Sequence, residues 1–268
     1  MIWTLKAFFT RDLKIEISYK FNIFFQFISG LFFLLIFYFI SKSLIFSDTD
    51  LINKYGEDYF IFVSLGIIFV DFIMISLFAS SNSIRNGQTF GYLEHIFSYR
   101  LDVVKIFIAS LAYPFVKNLV RAVLYFVFVS YFFIGKLNLI NILDLVLALS
   151  LTLIPFVGIG MISMAFIIYF KMGNPINIFA SVFSTLFSGI FYPIEVLPNW
   201  AINFSNIIPL TYGVEFLRER IIFSTPYNDL LGNMVILIIF SFVFIILGSF
   251  TLRVSYNLSR RKGIISDY

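Results

Sequence analysis

The sequence predicts an all-α membrane protein forming one domain, 1–268, with six transmembrane helices, an N-terminal interfacial helix and short re-entrant helices before the last span. Three observations predict it. Hydrophobic residues make up 60% of the chain and charged ones 13%, against about 45–50% and about 25% in soluble domains, and the mean hydropathy is +0.96. So much apolar surface cannot be hidden within 268 residues, and lipid is the natural solvent. The apolar residues also gather into six stretches, each close to the length that crosses a bilayer as a helix. Finally, Lys and Arg concentrate on alternate connections, as the positive-inside rule requires of cytoplasmic loops.

Residues 1–21 come first. Ile2, Leu5, Phe9 and Leu13 fall at helical spacing, Lys6, Thr10, Arg11 and Lys14 lie on other faces, and Trp3 is near the start. A basic amphipathic helix with an aromatic anchor lies in the membrane interface, although a plain cytoplasmic extension has the same pattern. Both signs of charge in this stretch argue against a cleavable signal peptide. Asn22 to Phe46 is the first span, and the acidic loop Ser47 to Asp58, with Asp48, Asp50, Glu57 and Asp58, reads as external. Tyr59 to Ser80 crosses back with Asp71 near its middle. Ser81 to Lys105 carries Arg85, Glu94, His95, Arg100, Asp102 and Lys105 and reads as cytoplasmic.

Phe107 to Ile134 is the third span, Gly135 to Asn141 a short external turn, and Leu145 to Phe170 the fourth span. Pro155 is expected to kink that helix. Lys171 to Asn174 is a tight inner turn, and the fifth span runs from Pro175 to Tyr192. Residues 193–228 are too broken by Pro193, Pro198 and Pro209 to span, yet too apolar for an ordinary loop. Irregular backbone at membrane depth survives only where protein or water satisfies it, so short external re-entrant or interfacial helices are expected. Leu230 to Leu252 is the last span, and Arg253, Arg260, Arg261 and Lys262 place the tail inside. Both termini are therefore expected on the cytoplasmic side of the cell membrane.

The chain lacks the residues of several chemistries. It has no Cys and a single His, His95, which excludes disulfides and a histidine-rich metal centre within one chain. No GxxxxGK[ST] loop is present: Gly135-Lys136 is followed by Leu, and Gly158-x-Gly160 lies inside a span, where helix packing explains it. No Ser/His/Asp set, HExxH or carboxylate pair points to hydrolysis. The chain is expected to be no enzyme itself, to hold no metal or cofactor of its own, and to bind no nucleic acid.

Asp71, Tyr113, Lys117 and Arg121 are the candidate path residues, the three charges because ionisable groups at membrane depth are costly. Asp71 either pairs with Lys117 or Arg121, contacts a cationic substrate, or faces a water-filled cavity. Lys117 and Arg121 are one helical turn apart and share a face with Tyr113 and Tyr125. They either attract an anionic substrate or lipid phosphate, or snorkel to the inner headgroups, with Arg121 roughly 10 Å below the inner hydrocarbon edge.

Two stretches resemble a known family. Gly91-Tyr92-Leu93-Glu94-His95-Ile96-Phe97 resembles the G-x-L-E-x-L/I signature of ABC-2 type permeases, the membrane subunits of ATP-binding-cassette exporters. Ser188 to Trp200 (SGIFYPIEVLPNW) and Ile208 to Ile221 (IPLTYGVEFLRERI) are similar to that family's stretch before the last span. Ser98-Tyr99-Arg100 departs from it, where many members have a proline. The resemblance implies a homodimer or a pair with a related permease, two separate ATPase subunits holding ATP and Mg2+, and export of an amphipathic substrate such as a lipid-linked glycan or drug-like amphiphile. It implies a cytoplasmic coupling helix within 84–98, where Phe90, Gly91, Tyr92, Leu93, Glu94, His95 and Phe97 meet the ATPase. Tyr192, Pro193, Glu195, Pro198, Pro209 and Tyr212 are then candidates for the external gate, or for a structural cap. The rival reading is an ATP-independent secondary transporter or channel with Asp71 and Arg121 as an ion relay.

Overall fold

A computed structural model of the chain describes residues 2–45, 59–89, 102–134, 139–171 and 174–261, and the regular structure among them is helical. Helix α1 is Ile2–Ser18 and α2 is Lys20–Ile45. They are followed by α3, Tyr59–Thr89, and α4, Val103–Val129, which runs into a π-helical turn at Ser130–Ile134. Helix α5 is Leu139–Phe170, α6 is Pro175–Phe187, α7 is Asn199–Ser205, α8 is Pro209–Ile221 and α9 is Leu231–Arg261.

Among the described residues, four helices are long and apolar enough to cross a membrane: α2, α4 with its π turn, α5 and α9. Tyr59–Met74 of α3 and all of α6 are shorter apolar helices. The expectation of six spans thus meets four helices of full length and two short apolar ones. At about 1.5 Å per residue α6 is ~20 Å long, against ~30 Å of hydrocarbon. The sequence places the end of this helix at Tyr192, but the structure ends it at Phe187. Ser188 forms the C-cap, Gly189 turns the chain with a φ of 70°, and Pro193 blocks continuation. Helix α3 differs in the other direction. It runs past Ser80 to Thr89, so 84–89 of the expected coupling region continue the second span's helix.

Helix α3 is central. Val63, Leu65, Phe69, Phe72 and Ile73 are buried in the main core with Phe126, Leu149, Leu210 and Leu217. Helix α2 lies outermost: Leu34 is a buried hydrophobic there, while Phe24, Phe25, Phe32 and Phe39 are exposed, as suits a helix against lipid. The most extensive packing joins α5 to α9. A Cβ at Gly158 would collide with the backbone of Phe244, and one at Gly248 with the carbonyl of Gly158. These glycines therefore let the two backbones touch, as small residues do between helices in lipid. Ser255 adds a hydrogen bond to the Ala165 carbonyl at 2.6 Å. Helix α5 remains one helix through Pro155.

A buried polar knot ties α3, α5 and α6 together. Asn177 donates to the Leu77 carbonyl and to Ser81 Oγ, both at 2.8 Å. Ser163 in turn donates to Asn174, whose side chain caps α6. Beyond α6 the chain makes a helical hairpin. Trp200 and Phe204 of α7 pack on Phe187, and Phe204 also packs on Phe183. Helix α7 therefore runs back alongside α6. Helix α8 then returns along α5, with Gly213 against Thr152 and Arg220 paired with Asp144 at 3.1 Å.

Candidate functional site

Helices α2, α3, α4 and α6 surround a cavity of about 660 Å³, within the usual range of small-molecule sites. It is lined by Gln26, Ser29, Gly30 and Phe33 of α2, and by Ile67, Val70, Asp71 and Met74 of α3. Helix α4 adds Lys117, Arg121 and Tyr125, and Thr185 and Phe191 complete the wall. Position explains the assembly. Lys117, Arg121 and Tyr125 recur every fourth residue, so they form one stripe along α4. On α3, Ile67, Val70, Asp71 and Met74 follow the i, i+3, i+4, i+7 pattern of a single helix face.

The charges in this wall are paired. Arg121 Nη2 lies 2.6 Å from Asp71 Oδ2, with side-chain exposures of 10% and 34% respectively. The guanidinium therefore meets a carboxylate of the neighbouring helix α3. Lys117 bonds Glu16 of α1 and donates to Gln26 Oε1 at 3.0 Å. Tyr125 donates to the backbone of α2, 3.1 Å from the Phe27 carbonyl oxygen. That approach requires Gly30, because a Cβ there would strike the phenol oxygen. Tyr113, the remaining path candidate on α4, does not line the cavity; it packs edge-on against Phe9 of α1 with centroids 5.5 Å apart.

Not every polar group in α4 is satisfied. Arg121 Nε and both amide atoms of Asn118 are buried without a hydrogen-bond partner among the described residues. A buried donor left unmade costs about 1–3 kcal/mol.

Of the external candidates, Pro193, Glu195 and Tyr212 line a separate cleft of about 300 Å³ together with Glu215, Arg218 and Glu219, among others, whereas Tyr192, Pro198 and Pro209 do not line it. Pro193 begins the 3-10 turn Ile194–Val196, Pro198 caps α7 and Pro209 opens α8, each using its fixed φ where no backbone donor is needed. Tyr192 and Tyr212 donate to the Leu186 and Asn206 carbonyls. The residues Phe90, Gly91, Tyr92, Leu93, Glu94, His95 and Phe97, expected to meet an ATPase, lie outside the described residues.

Sequence reasoning missed the residue that organises the break after α6. Arg218 is buried and donates to Gly189 and Ile190, each at 2.7 Å, and twice to Phe62, at 3.2 and 3.0 Å. Its guanidinium carbon stands 3.4 Å from the Phe62 ring centroid. One side chain thus satisfies the carbonyls freed where α6 breaks and locks them to α3. Its signal was available, since Arg218 ends the Pro-Leu-Thr-Tyr phrase. Asp144, only 1% exposed, was also missed. It accepts from Arg220 at 3.1 Å and from the Tyr227 hydroxyl. That hydrogen bond, helped by burial and the Asp144 charge, raises the Tyr227 hydroxyl above its usual pKa. At the opposite end Asp102 caps α4 through Val104 N at 3.0 Å and pairs with Arg253 of α9 at 2.8 Å. Slight burial pushes its carboxyl up, but the Val104 amide, Arg253 and Lys105 hold it below the usual range.

A family model described as ABC-2 type transporter matches residues 3–223. No curated protein and no solved structure matches the chain.

Proposed function

The chain belongs to the ABC-2 type transporter family, and from that premise we propose that it is the permease subunit of an ATP-driven exporter of amphipathic molecules in the cell membrane. The observation that carries this reading is the extent of the family match, which takes in every element from α1 through α8. These 268 residues hold no phosphate-binding loop, so in this reading energy enters through an ATPase outside them. Two permeases, this chain with a second copy or a relative, would work with two ATPase subunits that hold ATP and Mg2+.

Phe90, Tyr92, Leu93 and Phe97 are suited to plug a groove on such a subunit, Glu94 and His95 to make its polar contacts, and Gly91 to permit close approach. They follow directly on α3, which carries Asp71 at the cavity. In this reading the substrate passes Asp71, Lys117 and Arg121, and the segment around Tyr192, Glu195 and Tyr212 closes the path outside.

Replacement of Glu94 by Ala tests the coupling. Transport per ATP hydrolysed by the assembled complex should fall about tenfold, equivalent to ~1.4 kcal/mol out of the 2 kcal/mol or more that an interface anchor can carry, with membrane insertion unchanged. Unaltered transport refutes the coupling role. Substrate flux through the chain alone, in liposomes without an ATPase subunit, would instead support an ATP-independent transporter.

A further inference from the structure

We propose that the cavity between α2, α3, α4 and α6 binds an amphiphile by a phosphate-type anionic headgroup at Lys117 and Arg121, with Glu16 and Asp71 as built-in competitors for the two cations. The inference rests on the permease reading for its consequence in transport; binding itself stands on the geometry of the cavity.

The charge of the lining decides the sign of the ligand: Lys117 and Arg121 stand there against Asp71. Arg121 brings five N–H donors; its Nη2 meets Asp71, and its Nε is buried. Lys117 has three donors, and the structure engages it with Glu16 and Gln26. The carboxylates are paired with the same cations, Asp71 with Arg121 and Glu16 with Lys117, and Glu16 is not among the residues that line the cavity. A cationic ligand would therefore meet N–H groups, whereas an oxyanion would find donors from two cations one turn apart, roughly 6 Å at the backbone. The charge-assisted bonds of a phosphate oxygen to Arg and Lys are the strong class.

Shape supplies the second half. Phe33, Ile67, Val70, Met74 and Phe191 make the rest of the wall apolar, which suits an acyl, prenyl or aryl tail. Lys117 is bonded to the interfacial helix α1 and Arg121 sits one turn beyond it along α4, so the cations are graded from the α1 end of the cavity inward. Without a ligand, Lys117 is held by Glu16 and Arg121 by Asp71. A ligand anion must then contend with Glu16 and Asp71 for the same nitrogen atoms, which predicts that removing either carboxylate tightens binding.

A scintillation-proximity assay tests this, with the full chain immobilised in dodecyl maltoside micelles and 32P-labelled dodecyl phosphate as the probe. Glu16→Gln and Asp71→Asn should each tighten the apparent Kd by about three- to tenfold, and Lys117→Gln and Arg121→Gln should each weaken it by about five- to tenfold. Unlabelled dodecyl phosphate should displace the probe, while inorganic phosphate and dodecyltrimethylammonium at equal concentration should not. Displacement by inorganic phosphate would overturn the amphiphile assignment, and displacement by the ammonium would overturn the anion site. Glu16 lies on α1, outside the core, so Glu16→Gln keeps the test valid even where Asp71→Asn fails to fold. If Glu16→Gln binds no more tightly than the native chain, the proposal fails, and that failure leaves the ATPase-coupling result untouched.

Discussion

Replacing Arg218 by Met removes the guanidinium while keeping most of the side chain's apolar volume. The native side chain makes four hydrogen bonds to three carbonyl groups. The Phe62 oxygen lies within α3 and keeps its helical partner, but Gly189 and Ile190 sit in the break after α6. Orphaning those two buried acceptors costs about 1–3 kcal/mol each. Removing the buried charge returns part of that, because desolvating an ion costs several kcal/mol on its own. The net expectation is a loss of about 2–4 kcal/mol. Arg218→Lys should fall between, since an ammonium is a point charge that cannot span the carbonyls as a planar fork does. Reversible unfolding of the full chain in mixed dodecyl maltoside and dodecyl sulfate micelles, followed by far-UV circular dichroism, measures the difference. Limited proteolysis should show faster cleavage within 189–208. A Met variant within about 0.5 kcal/mol of native stability, inside the ordinary range of surface substitutions, would refute the view that Arg218 holds this seam together.

Gly248→Ala should destabilise by about 1–3 kcal/mol in the same assay, because its Cβ would meet the Gly158 carbonyl oxygen and force α9 away from α5. Asp102→Ala removes an N-cap and an ion pair and should cost about 1 kcal/mol, mostly from the cap since the pair with Arg253 is solvent-screened. The folded carboxyl of Asp102 titrates below its unfolded value. Its contribution is therefore complete above the unfolded pKa of about 4 and disappears as pH falls through the lower folded value. The stability difference between Asp102→Asn and the native chain should shrink across that interval, as followed by melting at a series of pH values.

The apolar elements were legible because lipid imposes a length on every crossing segment, and that length is written in consecutive residues. Their ends were less so. Hydropathy reports which solvent a segment prefers, whereas a helix ends where its backbone hydrogen bonds end. Ser81, Asn82 and Ser83 read as leaving the apolar medium, yet nothing in them stops the ladder, and α3 continues to Thr89. Conversely Ile190 and Phe191 read as more of the fifth span, but Ser188 and Gly189 had already turned the chain. Of the cavity, Asp71, Lys117 and Arg121 stood out as charges at depth, and the stripe on α4 followed from spacing alone. Glu16 could not be found that way. It meets Lys117 across 101 positions, and periodicity carries no information over such a distance. Asp144 was hidden similarly, since its partners Arg220 and Tyr227 come from the far side of the helical hairpin.

The unbroken course of α3 has a mechanical consequence. Its 31 residues make a rod of about 46 Å, with Phe62, gripped by Arg218, near one end and Thr89 at the other. Asp71 lies between them. A stiff rod cannot be displaced at one end alone: tilting one of this length by about 5° separates its two ends laterally by ~4 Å. That shift would be enough to part ion-paired groups along its flank and to load the seam at Gly189 and Ile190 in the same instant. The seam at Gly189 and Ile190, the charged wall and the Thr89 end of α3 are joined by one continuous helix, so a force applied at any one of them is carried to the other two.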